Sequence, residues 1–206
     1  EAASALTDGL GERFLGYEVS FKPWPCCRGT HAYIEAALAL RVRCDWRDIA
    51  AIEAETGPIQ EMLIRPAAAK AAPASAIDAK FSIPFTTAHA LVHGAVTLDS
   101  FGDAARGEAA VLALAAKVTE RRNPAWGREH AASGSLTLIL TSGKRIEHAV
   151  PHAAGHPGNP LSDDALIEKF AECARRAKGP GLADPEAMAR TILTLGAGSS
   201  ASTLLR

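Results

Sequence analysis

The sequence predicts an α+β fold: a small antiparallel sheet layered by helices, followed by C-terminal helices. Three observations predict it. The stretch GSLTLILTSGKRIEHAVPH alternates threonine with aliphatic residues up to a Ser142-Gly143 turn and alternates again through Ile146, His148 and Val150, which is the pattern of a β-hairpin. Runs with helical spacing flank it on both sides. Strands and helices do not alternate regularly, so a doubly wound parallel sheet is not indicated.

Taken in order, Glu1 to Gly16 reads as weakly helical and glycine-rich, and YEVSF as a short strand leading into FKPWPCCRGTH. Two prolines fix φ and lack donors, so Lys22 to Gly29 is expected to be a stiff, extended loop. Thr30 is a candidate cap for the next helix, where Ile34, Leu38 and Val42 recur on one side and His31 falls in the first turn. DIAAIEAET, residues 48–56, reads as a strand, although its alanines also suit a helix. PAAAKAAPASA, residues 66–76, is expected to be an exposed connection. Asp78 opens a predicted helix that carries Phe81, Phe85, His89 and His93 and stops at Gly94, and a second helix is predicted over about 99–117. After the hairpin, AGHPGNP reads as a turn. Ser162 is placed to cap a helix over 163–178, and Asp184 with Pro185 opens the last one.

The composition excludes several classes. A formal net charge of −1 and the absence of a Lys/Arg block give no field for nucleic acid or a membrane surface. The longest apolar runs, such as AAVLALAA, fall far short of the ~20 residues a spanning helix needs, and the N-terminus shows no secretory pattern, so a cytoplasmic protein is expected. Cys26, Cys27, Cys44 and Cys173 show no CxxC spacing, which indicates reduced thiols rather than disulfides or zinc. The chain begins at Glu1 without methionine, as a processed product or an excerpt of something longer would.

The candidate chemistry lies in the proline loop. Lys22 and Arg28 supply an ammonium and a guanidinium fork that match carboxylate oxygens, and the N–H groups opening the next helix add positive potential. His31, in that first turn, is a candidate base or donor beside a bound carboxylate. Cys27 precedes a guanidinium that would favour its thiolate, which makes it a candidate nucleophile or substrate contact, against the commoner role of a small buried hydrophobe. His89 and His93 share one helical face, but no HExxH glutamate and no third ligand accompany them, so no metal site is assigned and internally bonded histidines are expected.

Four segments in order, FKPWPCCRGTHAYIEAALAL, AKFSIPFTTAHALVHGAVTLDSF, the hairpin around TSGKRIEHAV and GHPGNPLSDDALIEKF, resemble the MmgE/PrpD family, which includes 2-methylcitrate dehydratase, cis-aconitate decarboxylase and iminodisuccinate epimerase. The resemblance implies a two-domain enzyme in which an α+β lid interrupts an all-helical domain. On that reading residues 1–16 end the first helical part, 17–152 form the lid, and 153–206 return to the helical domain. The family's N-terminal half is absent from this sequence, and the resemblance implies dependence on it for turnover. It also implies a homodimer and no cofactor. Lys22 corresponds to the family's lid lysine, which faces the cleft and binds a substrate carboxylate. Arg28 and His31 lie within the same loop, Cys27 stands where decarboxylase relatives carry histidine, and Lys80 is a further family-like position.

The implied chemistry is a cofactor-independent lyase or isomerase acting on a small di- or tricarboxylate, with a 2-methylcitrate dehydratase-like reaction favoured. Taking a proton from carbon next to a carboxylate builds charge that fixed cations favour, and a lid excludes water from them. The alternative is a non-catalytic fragment or anion-binding module built on the same loop.

Overall fold

The computed structural model describes residues 7–177 and 181–196. The chain divides into two compact units, Glu1–Asn159 and Pro160–Arg206.

The first unit is α+β, built on a mixed four-stranded sheet. Strand β1 (Ile49–Thr56) lies between β2 (Val118–Arg122) and β3 (Gly134–Leu140), and β4 (Arg145–Val150) completes the order β2-β1-β3-β4. Both β1 with β3 and β3 with β4 are antiparallel, the latter pair being the predicted hairpin, with Leu136 opposite His148 and Leu138 opposite Ile146. Gly143 closes the turn at φ +82°, a conformation that glycine adopts without steric cost. β2, which no sequence signal marked, joins β1 in parallel and puts Ile52 opposite Val118. A parallel partner requires a crossover, and residues 57–117 supply it as helices.

Alternation gives the sheet two unlike faces. Ile52, Ala54, Leu136, Leu138, Ile146 and Val150 are buried in the core, while Glu53, Glu55, Arg121, Arg145 and Glu147 carry cross-strand ion pairs, Arg145–Glu53 at 2.6 Å and Arg121–Glu55 at 3.0 Å. Helix α1 (His31–Arg41) packs on β3 and β4, and Tyr33, fully buried, donates its hydroxyl to the Glu55 carbonyl at 2.6 Å. Gly134 sits under this helix, where an added Cβ would stand 2.8 Å from the Ala32 methyl. That approach seats α1 on the sheet.

The crossover contains α2 (Glu61–Ile64), α3 (Ala67–Ala71), α4 (Ala76–Lys80), α5 (Ile83–His93), α6 (Asp103–Arg106) and α7 (Ala109–Ala115), with α5 packed between α1 and α7. The single helix expected from Asp78 is two helices. Ser75 caps α4 in a capping box with Asp78, and the chain breaks at Phe81 before Ser82 caps α5, because Pro84 fits a first helical turn and not an interior. The expected stop at Gly94 is present, with φ +73°. The helix expected over 99–117 is likewise broken, into a 3-10 turn, α6 and α7, by Gly102 and Gly107. The segment 66–76, expected to be a plain connection, contains α3, which buries none of its residues.

Among the described residues, the segment YEVSF pairs with no strand. Leu15–Glu18 is a 3-10 turn with Leu15 and Tyr17 exposed, and Phe21 instead donates its N–H to the Gly155 carbonyl at 2.8 Å. Part of the helix expected over Glu1 to Gly16 lies outside the described residues; 7–12 form turns.

In the second unit, α8 (Asp163–Arg176) and α9 (Pro185–Leu193) pack on each other and bury Ile167, Ala171 and Ala189. Both start as the sequence predicts. Ser162 accepts from the Ala165 N–H at 3.2 Å, and Asp184 from the Ala187 N–H at 2.9 Å, with Pro185 at the first position. Arg175 pairs with Glu186 across the two helices.

Candidate functional site

The proline loop runs Phe21–Thr30 and ends in the 3-10 turn Arg28–Thr30 that leads into α1. The prolines remove two backbone donors; Cys26 and Thr30 N–H bond within the loop, and two other N–H groups bond outward to separate segments. Phe21 N–H reaches the Gly155 carbonyl, and Cys27 N–H reaches the Lys80 carbonyl at 2.9 Å. The loop is thereby stitched to the end of α4 and to the segment that follows β4.

Gly155 makes the second contact possible. It has φ +85°, and a Cβ built on it would lie 2.2 Å from the Phe21 carbonyl oxygen. No side chain fits there without displacing the backbone next to Lys22.

Arg28 is half-buried, and both of its terminal nitrogens are engaged inward, donating to the Ala154 carbonyl at 3.1 Å and the Ala153 carbonyl at 2.8 Å. Burial lowers its basicity and the nearby Glu35 opposes that effect. Glu35, on α1, completes the clamp: its carboxylate accepts from the Ala154 N–H at 2.7 Å and from Asn159 Nδ2 at 3.2 Å. Asn159 Nδ2 also donates to the His152 carbonyl at 2.9 Å. The fork that the sequence assigned to a substrate carboxylate therefore grips backbone oxygens.

His31 is fully buried, and its ring stands edge-on to Trp24 with centroids 5.2 Å apart. A residue with no accessible surface does not meet a ligand arriving from solvent. Thr30 does not cap α1; its hydroxyl donates back to the Cys27 carbonyl at 2.8 Å and approaches Cys26 Sγ at 3.1 Å. Cys27 is partly buried and packs against the core. Burial pushes the Cys26 thiol up to about 11 despite the Thr30 hydrogen bond, so it is a small buried hydrophobe.

Lys22 is exposed and Lys80 partly so. Both ammonium groups lie near enough to Cys26 to favour its thiolate, and Lys80 Nζ stands 5.6 Å from the Phe101 ring centroid. Two lysines from separate segments thus act on the same buried thiol of the proline loop.

The other histidines sort themselves locally. His89 is buried and bonds the Ala95 carbonyl at 3.1 Å, and burial lowers its pKa; His93 pairs with Glu108 at 2.7 Å. Among the described residues no group of three or more His, Cys, Asp or Glu is placed to hold a metal, and no helix is long and apolar enough to cross a membrane.

Four residues that sequence reasoning passed over belong to this site: Glu35, His152, His156 and Asn159. His152 ends the stretch read as the hairpin, and His156 and Asn159 lie in AGHPGNP, which reads as a turn from its glycines and prolines alone. His152 and His156 stack at 4.4 Å between ring centroids, inclined by 8°, and His156 Nδ1 accepts from the Gly158 N–H at 2.9 Å.

The model of one family, described as the MmgE/PrpD C-terminal domain, matches residues 24–191, and no curated protein matches the chain.

Proposed function

The chain belongs to the MmgE/PrpD family through its C-terminal domain, and on that premise we propose that it forms the carboxylate-handling part of a lyase or isomerase. Its members are enzymes of the dehydratase and isomerase kind. The substrate is a small di- or tricarboxylate, with a 2-methylcitrate dehydratase-like reaction favoured. The observation that carries this reading is a loop clamped from two sides, with Lys22 exposed at its start and Lys80 also within electrostatic range of its Cys26 thiol.

Removing a proton from carbon next to a carboxylate moves negative charge onto the carboxylate oxygens. Two ammonium groups favour that charge more than they favour the neutral carbon acid, which is how a fixed cation lowers a barrier rather than merely tightening binding. Rigidity matters because a cation that must reorganise loses the advantage. Lys22 is the substrate-binding and catalytic group of the loop. Arg28, Cys27 and His31 support it: Arg28 through the clamp, Cys27 and His31 through packing.

The base and the remaining cleft wall come from the family's N-terminal helical half, and the working protein is a cytoplasmic homodimer that holds no metal. The test uses the complete polypeptide in D2O with 2-methylcitrate, citrate and cis-aconitate. NMR is expected to show deuterium entering the carbon next to a carboxylate, or dehydration, for one acid, and Lys22→Ala to slow it by about a hundredfold, the loss of roughly 3 kcal/mol of transition-state stabilisation. An unchanged rate in Lys22→Ala with an active acid removes Lys22 from the mechanism. Binding without any exchange or turnover favours an anion-binding module.

A further inference from the structure

We propose that His89 is a pH-sensitive latch whose release on acidification loosens, through a column of rings, an anchor of the proline loop. That this loop is the functional one rests on the function proposed above.

The column is built by spacing. Phe85, His89 and His93 recur every fourth residue of α5 and so line one face of it. The ring centroids of His89 and His93 lie 4.5 Å apart, and those of Phe85 and His89 6.1 Å apart. Phe85, fully buried, also meets Phe101 at 6.4 Å, and Lys80 Nζ stands over the Phe101 ring. The Lys80 carbonyl in turn accepts the Cys27 N–H. A continuous set of contacts therefore leads from His89 to an outward bond of the proline loop.

His89 can take up a proton only against this packing. A carbonyl only accepts, so Nδ1, which bonds the Ala95 carbonyl, already carries a hydrogen, and a second proton has to arrive at Nε2. The charge would then sit on a ring that is 7% exposed and that lies against the His93 ring. Burial is the largest influence and lowers the His89 pKa; the Ala95 bond opposes it, His93 adds to it and Glu108 opposes it. Glu108, at the start of α7, is itself bonded to His93 Nε2. The charged groups on the other elements around α5 are engaged locally. Arg41 of α1 donates to the Leu91 carbonyl at 3.4 Å, Glu61 of α2 pairs with Arg122 at 3.3 Å, and Lys70 of α3 donates to the Phe81 carbonyl at 2.8 Å. On α4, Asp78 bonds Ser75 and Lys80 lies on Phe101, whose 3-10 turn also carries Asp99.

The closed arrangement thus favours the neutral ring. The unfolded histidine value is about 6.5, so the latch is fully stable above that pH and loses stability as the pH falls from there toward the lower folded value. Ala95 is exposed, which makes its turn the side that gives way. A ring that swings to water leaves the Ala95 carbonyl without its donor and Phe85 without its neighbour, and Phe101 and Lys80 lose the support behind them.

The experiment follows amide exchange by NMR from pH 7.5 to 5 in the ligand-free chain, with protection factors taken against the intrinsic rate at each pH. Two amides report: Gly94, bonded to the Ala90 carbonyl at 2.9 Å beside the latch, and Cys27, bonded to Lys80. In the wild type, protection at both is expected to fall by up to about tenfold per pH unit below about 6.5, the limit for one proton. His89→Gln, which keeps a donor for Ala95 and cannot charge, removes the fall at both. Phe101→Leu removes it at Cys27 and leaves it at Gly94. Because either variant could disturb the fold, ring ¹⁵N shifts of the wild type provide a second reading: His89 is an Nδ1–H tautomer at pH 7.5 and titrates where the fall in protection levels off.

A fall that persists in His89→Gln belongs to another group and overturns the latch, as do flat wild-type profiles or an Nε2–H tautomer. A wild-type fall at Gly94 without one at Cys27, or a Cys27 fall that survives Phe101→Leu, overturns the ring column. No ligand enters these readings, so their failure leaves the role of Lys22 standing, and an unchanged rate in Lys22→Ala leaves the latch standing.

Discussion

Arg28 offers the sharpest test of what the cations of the proline loop do. In Arg28→Met the methylenes that pack are retained and the two donors to Ala153 and Ala154 are lost. A hydrogen bond from a charged donor contributes about 1.5–3 kcal/mol, and for a half-buried guanidinium the lower end applies, so the pair amounts to roughly 3 kcal/mol. Ala153 is fully buried, and without Arg28 its carbonyl keeps only the His156 N–H at 3.0 Å. Arg28→Lys keeps the charge near Glu35 but reaches only one carbonyl, so about half the loss is expected. With a urea m-value of about 2 kcal/mol/M, Arg28→Met should unfold at a midpoint about 1.5 M lower and Arg28→Lys about 0.7 M lower. Native-state hydrogen exchange adds a local readout, since the Phe21 and Ala154 amides, bonded to Gly155 and Glu35, should both lose protection. A midpoint for Arg28→Met within about 0.3 M of the wild type, together with weakened citrate binding, would refute the clamp and restore Arg28 to the substrate fork its sequence context suggests.

Gly155→Ala should cost about 1–2 kcal/mol from the left-handed backbone alone, and more from the 2.2 Å approach to the Phe21 oxygen. Gly143→Ala is the control for the first term, since it has the same sign of φ and open space around it; equal losses at the two glycines would show that the Phe21 contact contributes nothing. Glu120 supplies a pH dependence. Against the burial that would raise its pKa, the Thr56 hydroxyl and the Arg65 guanidinium hold its carboxyl below the usual carboxylate range. Its contribution is therefore complete above the unfolded value, about 4.3, and disappears as the pH falls through the lower folded value. Glu120→Gln should be less stable than the wild type at pH 7 and lose less on acidification below about pH 5, measured by thermal melts; parallel pH profiles would contradict the assignment.

The elements that the sequence made legible are those whose signals are local. The hairpin showed itself because Thr137, Leu138, Ile146 and Val150 alternate around a turn that needs its glycine, and α8 and α9 because Ser162 and Asp184 stand at their first turns. β2 was silent: VTERR has one buried residue, and its place in the sheet depends on Ile52 and Ala54 sixty residues earlier. YEVSF misled because alternation specifies a strand only when a neighbour offers an edge, and here Phe21 pairs with a glycine loop instead. At the site, the clamping of the loop was legible in its prolines, whereas the targets of its cations were not. Arg28 reaches carbonyls more than a hundred positions away, and Glu35 and Asn159 join it from opposite ends of the unit.

The difference between Lys22 and Arg28 follows from the prolines themselves. Segments 21–30 and 151–160 carry five prolines between them, each of which lacks a donor, so backbone N–H groups are scarce there; the Ala153 carbonyl accepts from the His156 N–H at 3.0 Å and from Arg28, and the Ala154 carbonyl accepts from Arg28. Buried carbonyls require donors, and a guanidinium provides several in a fixed plane where an ammonium provides a point charge on a flexible stem. Arginine is thus the cation a donor-poor loop recruits for its own structure. Lys22, by contrast, is exposed at the loop's start, next to the Phe21 N–H that bonds Gly155.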